Sequence, residues 1–355
     1  MAAGNKGAVR NGEVVARYLG DATSGVDIAT NSAGSWIAAG NKGAVKDGVV
    51  VATSLGDAKS EIKVAMNKAG NWIAAGNKGA IVNGQVGANY LGGSSSGVDA
   101  KINEAGHWIT AGNKGAVMDN KVVATNLGDE TSGVAVGLNE AGQWIAAGNK
   151  GVIVNGRVSG TNLGACHSGV DAAMNQAGQW VAAGNKGVLV DGKVVGTNLG
   201  ADTSLIDVDI NEAGHWIAAG NQGVLVNGKV VGTNLGGSRS DVAVDISENG
   251  HWIAAGNQGV LVDGKVVGTD LSDGTAGVAV HITENGHWIA AGNRGALVDG
   301  KVVATDLGNS DSSIDALINE DGHWIASGNK GAVADGNVVA TALGDFSSGA
   351  AVSLS

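Results

Sequence analysis

The sequence predicts an all-β chain built as ten copies of one four-stranded antiparallel unit, and three observations carry that expectation. Tryptophan recurs as Trp36, Trp72, Trp108, Trp144, Trp180, Trp216, Trp252, Trp288 and Trp324, a spacing of 36 residues with no insertion or deletion. Each interval contains short runs in which apolar residues alternate with polar ones, the period of a strand and not of a helix. Nearly every interval also contains an Asn-Gly or Asp-Gly pair between β-branched residues, the strongest short-range signal for a two-residue hairpin. The copies are close: residues 214–236 and 250–272 differ at three of twenty-three positions.

Within one unit the strands follow in order. Strand A is the alternating stretch typified by Ile206-Asp207-Val208-Asp209-Ile210, with Val26 and Ile28 in the corresponding places of an earlier copy. A turn with glycine at 34, 70, 106, 142, 178, 214, 250, 286 or 322 leads into strand B, "WIAAG", where the chain needs a positive φ. An "NKG" or "NQG" corner precedes strand C, "VLV", and the Asn-Gly or Asp-Gly connection precedes strand D, "KVVGTNL", which is expected to end at a leucine (19, 55, 91 and every thirty-sixth residue to 343). Asp119-Asn120 is the one connection without glycine. Helix competes poorly, since glycine recurs throughout and β-branched residues fill the gaps. A parallel β-solenoid is the rival architecture, but the hairpins reverse the chain.

Composition narrows the function classes. Sixty-two glycines, no proline and 43% hydrophobic residues describe a folded chain with glycine corners, whose core rests on Val, Ile, Leu and Ala because Phe and Tyr are nearly absent. The single cysteine, Cys166, allows no internal disulfide. A net charge of −11 disfavours nucleic acid and anionic membranes as partners. No apolar run reaches membrane-span length and "MAAGNKGAVR" does not read as a signal peptide, so a cytoplasmic location is favoured, with a monomer as the expected state.

The "GHWIAAGN" and "VDGKVVGT" hairpins with one tryptophan per unit resemble the blades of a β-propeller over all 355 residues. The "GxWIAAGNxG" segment is similar to blades of Asp-box and photosystem-assembly-type propellers. The aspartate box itself, a WD dipeptide and the kelch double glycine are absent, so the resemblance is to the superfold and to no subfamily. It implies a single ten-bladed ring of ten 36-residue repeats over residues 1–355, the last blade shared between residues 1–20 and 346–355. Two five-bladed rings are the alternative.

No catalytic constellation emerges, because near-identical copies spread one residue set around a ring instead of gathering unlike groups. Cys166-His167 reads as a loop position. His107, His215, His251, His287 and His323, each three residues after Glu104, Glu212, Glu248, Glu284 and Glu320, read as solvated turns with weak Glu–His pairing, too far apart to share a metal. The nine tryptophans are expected to be structural, each covering the neighbouring unit. A binding face is expected on the rim that joins the B–C corners to the variable D–A loops ("DATSG" 21–25, "ACHSG" 165–169, "GSRSD" 237–241, "DFSSG" 345–349). Its candidate residues are Lys6, Lys42, Lys78, Lys114, Lys150, Lys186, Gln222, Gln258, Arg294 and Lys330. Strand-A positions Asp27, Lys63, Asp99, Ala135, Asp171, Asp207, Ala243, Ala279, Asp315 and Ala351 are expected to line an acidic, hydrated channel.

The function expected is that of a rigid, non-catalytic multivalent recognition module for glycans or a protein partner, without cofactor or metal. A ligand-free amplified or designed repeat scaffold is the alternative, and a propeller hydrolase or lyase a third.

Overall fold

The computed structural model describes residues 1–354 except 202, 238–239, 274 and 346–347. Forty strands among these residues form ten four-stranded antiparallel sheets, each a meander in the order A-B-C-D. Strand A of each blade touches strand A of the next, and the last strand, Ala350–Val352, touches strand A on both sides of it. The chain is a single closed ten-bladed β-propeller. Neither two five-bladed rings nor a solenoid has this closure.

Blade 1 is shared by the two ends. Ala2–Gly4, Gly7–Arg10 and Glu13–Arg17 supply strands B, C and D, and Ala350–Val352 supplies strand A, with Ala3 opposite Ala351. The Met1 ammonium donates to the Ser353 carbonyl at 2.8 Å. Blades 2 to 10 begin at Val26, Lys63, Val98, Val134, Val170, Ile206, Val242, Val278 and Asp315.

The two-residue C–D connections adopt the expected conformation, with positive φ at both central residues, as at Asn11 (50°) and Gly12 (82°). Asp119 and Asn120 do the same without glycine. Strand D ends earlier than the sequence suggests. It stops at threonine (Lys193–Thr197), because the next residue is left-handed, as at Asn198 (φ 56°), and turns Leu199 inward to a fully buried position.

Each core lies between two blades. Strand B is buried along its whole length, and its tryptophan packs on the preceding blade: Trp216 meets Val181, Val188, Leu199 and Val195. The same cluster repeats around the ring. Trp36, Trp72, Trp108, Trp144 and Trp180 on one side of that blade, and Trp252, Trp288 and Trp324 on the other, each sit in an equivalent inter-blade core. All nine are 4–7% exposed, so none offers an open ring face to a ligand. The outer edges carry exposed valines, such as Val122 at 70%, beside Lys121, and such edge lysines oppose strand-to-strand aggregation.

Candidate functional site

The rim formed by the B–C corners and the D–A loops is built by one asparagine per blade. In blade 3, Asn77 closes strand B. Its Oδ1 accepts from the Asp57 amide at 2.9 Å, and its Nδ2 donates to Asp57 Oδ2 at 2.7 Å and to the Gly93 carbonyl of the following loop at 3.0 Å. One amide thus ties its blade to two D–A loops. The glycine before it, Gly76, lets the Leu55 carbonyl approach to where a Cβ would stand. A buried serine closes each loop from inside: Ser132 Oγ donates to the Asp129 carbonyl at 2.9 Å and Ser168 Oγ to the Ala165 carbonyl at 2.8 Å. This serine recurs at every thirty-sixth position from Ser24 to Ser348, with Ala276 in its place once.

The lysine after the asparagine is exposed, and its backbone carbonyl accepts from the left-handed residue that ends strand D, as when the Ser54 amide donates to Lys42 at 2.8 Å. Its ammonium meets the aspartate that opens the D–A loop. Lys42 lies 2.9 Å from Asp21, Lys78 3.2 Å from Asp57, Lys150 3.1 Å from Asp129 and Lys6 3.0 Å from Asp345, across the chain ends. Arg294 pairs with Asp273 in the same way. Hydrogen bonds from Lys42 and Asn41 hold the Asp21 carboxyl below its usual value; for Asp129 the first cause is Asn149, then Lys150. Where the loop aspartate is missing, the cation turns elsewhere. Lys186 donates to Asn162 Oδ1 at 2.8 Å, Lys114 stands 5.9 Å from the Tyr90 ring centroid, and Lys330 pairs with Asp306. Gln222 and Gln258 put neutral side chains at the same corner.

Between adjacent blades these groups line equivalent clefts. The cleft of blades 5 and 6 has a volume of about 430 Å3 and is walled by Asp129, Asn149, Lys150, Thr161, Asn162 and Lys186. Corresponding residues wall clefts of about 410 Å3 between blades 4 and 5 and about 400 Å3 between blades 9 and 10. Of the variable loops, positions 238–239 and 346–347 lie outside the described residues.

On the opposite rim the expected Glu–His pairing is replaced by two separate partnerships. His107, His251, His287 and His323 hydrogen-bond through Nδ1 to the hairpin aspartates Asp119, Asp263, Asp299 and Asp335, at 2.7 to 3.0 Å. The glutamates instead accept backbone amides of the preceding blade, as Glu248 does from Glu212 at 2.8 Å. Three residues of separation in a tight turn point the two side chains at different neighbours. A buried asparagine beside them, Asn67, donates to the Asn103 carbonyl of the next blade at 3.0 Å and accepts from the Asn71 amide at 2.9 Å.

Strand A lines a channel cavity of about 660 Å3 that includes Glu61, Lys63, Asp99, Asp171, Asp207 and Asp209. The channel aspartates clasp the next blade, taking the amide of its innermost strand. Asp27 accepts from Val64 at 2.8 Å, Asp207 from Val244 at 2.7 Å and Asp245 from Ile282 at 2.8 Å. Burial pushes these carboxyls up, to about 6 in Asp241 and Asp315 and, with Asp245 adjacent, to about 7 in Asp209. Burial followed by the neighbouring Asp171 raises Asp207 well above the usual range. Lys63, 3.9 Å from Glu61, is held charged by that carboxylate. Burial lowers His281, whose Nδ1 has no hydrogen-bond partner among the described residues. Cys166 Sγ lies 2.9 Å from His167 Nδ1 on an exposed loop, a contact that sequence adjacency alone did not establish.

No family model matches the chain, and no curated protein matches it. Among solved structures, the chain is similar to a streptogramin B lyase at 9% identity, over 82% of this chain and 94% of that one, with a TM-score of 0.43. It is similar to virginiamycin B lyase from Staphylococcus aureus at 12% identity, over 66% and 92%, with a TM-score of 0.41. It is also similar to the extracellular domain of a hybrid two component system from B. thetaiotaomicron at 9% identity over 78% of this chain, with a TM-score of 0.36, and spans 50% of that domain's length. These likenesses carry no argument about activity or ligand. No helix among the described residues is long and apolar enough to cross a membrane.

Proposed function

We propose that the chain is a non-catalytic, multivalent recognition module that holds polar ligands, foremost glycans, in the inter-blade clefts of the lysine-bearing rim. The observation that carries this reading is the repetition of one cleft at about 400, 410 and 430 Å3 with corresponding polar residues on its walls. Each cleft presents an ammonium, amides and a threonine hydroxyl on a stitched backbone, the donor and acceptor set a sugar needs. A shallow polar cleft binds weakly alone; a ring of them at fixed spacing gains by avidity.

The ligand-free array is favoured by one observation: residues 185–200 and 221–236 differ at only two of sixteen positions. A glycan array with the full chain, followed by the best sugar presented as monomer and as polymer, separates the two. The recognition reading expects the polymer to bind at least about a hundredfold more tightly, and Thr161→Val to weaken its hold. Silence toward every sugar, or polymer and monomer bound alike, would overturn it.

A further inference from the structure

The rim clefts have one architecture but different charge, and the residue that opens the D–A loop is one source of the difference. Where aspartate opens the D–A loop, as at 21, 57, 129, 273 and 345, the corner cation is neutralised in place. In the loop between blades 5 and 6 that position is Ala165. Lys186 lines the cleft there, and its ammonium has one described side-chain partner, the neutral Oδ1 of Asn162 at 2.8 Å. Lys150, on the other wall, is already held by Asp129, by Asn126 Oδ1 at 2.8 Å and by the Gly128 carbonyl at 3.3 Å.

We propose that the cleft between blades 5 and 6 is selective for a saccharide bearing a negative group, a carboxylate or a sulfate, which Lys186 receives. This rests on the rim reading above and adds a ligand class to one of its sites. An ammonium has three donors, and one of them is placed on Asn162. The Thr161 hydroxyl and the Asn149 and Asn162 side chains line the same cleft and serve the neutral hydroxyls of the sugar. The described neighbours lack this combination. Between blades 4 and 5, Lys114 also has no carboxylate, but it lies over Tyr90 and Glu130 adds a negative charge to the wall. Between blades 9 and 10, Arg294 and Lys330 are both paired, with Asp273 and Asp306. Lys186 is exposed, so its replacement leaves the cores untouched.

The test is calorimetric titration of the full chain with methyl glucuronide, glucose 6-sulfate and methyl glucoside. The expected result is that one of the two anionic sugars binds on the order of tenfold more tightly than the glucoside, the effect of one charge-assisted hydrogen bond. The preference should occupy one cleft per chain, fade in about 0.5 M salt and vanish in Lys186→Gln. Which anionic sugar shows it decides between carboxylate and sulfate. Equal binding of all three sugars, or a preference that survives Lys186→Gln, would overturn the selectivity and leave the rim reading standing. Silence toward all three sugars would overturn the selectivity, and silence across the whole glycan array would overturn the rim reading with it.

Discussion

Aspartate holds the ring together at two places, under opposite electrostatic conditions. At the rim, Asp129 is exposed between Asn149 and Lys150, and their hydrogen bonds lower its carboxyl. In the channel, Asp209 and Asp207 each face another aspartate of an adjacent strand A, and burial raises them. The channel kind anchors a backbone amide and the rim kind a side-chain amide and an ammonium, and only the rim kind works best fully ionised. What a carboxylate contributes here depends on whether the ring has placed a lysine or a second carboxylate beside it.

That contrast fixes the pH response. In the channel the Asp241 and Asp315 carboxyls sit at about 6 and that of Asp209 at about 7 against an ordinary value of 3.8, so the folded chain keeps protons there that the unfolded chain has released. Their contribution is complete below about pH 4 and is lost as pH rises through about 7. The rim carboxyls, lowered in the folded state, contribute above about pH 4 and fade as pH falls below it. Scanning calorimetry should therefore give a higher Tm at pH 5 than at pH 8. The largest single change is expected from Asp209→Asn, which should stabilise the chain at pH 8 by about 2 kcal/mol and flatten the slope between the two pH values. A Tm that rises from pH 5 to pH 8 would break the comparison on its channel side.

The rim side is sharpened by two smaller changes in one loop. Ser132→Ala removes one of three donors to the Asp129 carbonyl, leaving the Ser132 amide and Asn113 Nδ2, and should cost about 1 kcal/mol at every pH, read by urea denaturation. Asp129→Asn removes an exposed ion pair and should cost under about 1 kcal/mol, most of it gone in high salt. If the aspartate change were the costlier of the two, the rim would be held by charge and not by its buried hydroxyls.

The 36-residue period made the blade, the ring and the hairpin geometry legible before any coordinates, because each copy repeats the same local instructions. Asn11-Gly12 and its counterparts encode their positive φ locally, and Trp216 could only cover a neighbour. The partners of polar groups were less legible. Asp27 meets the Val64 amide, 37 residues on, only once blades stand side by side, so sequence showed a polar lining and not a clasp. Glu248 and His251 are near in sequence and diverge in space for the same reason. The early stop of strand D at Thr197 depends on a left-handed Asn198, a conformation that Tyr18 and Ala342 also adopt without the glycine that would announce it. Ser132 and Asn77 did carry a signal, since both positions recur every 36 residues, but their burial gives the recurrence its meaning.

The central claim is that ligands meet the rim and that the channel is structural. Amide chemical-shift mapping of the full chain, titrated with the best sugar from the glycan array, tests it most directly. The account predicts shifts at 36-residue intervals, centred on Lys150, Thr161, Gly164 and their counterparts, with Asp207, Asp209 and Val244 unmoved. Shifts confined to those channel amides would contradict it.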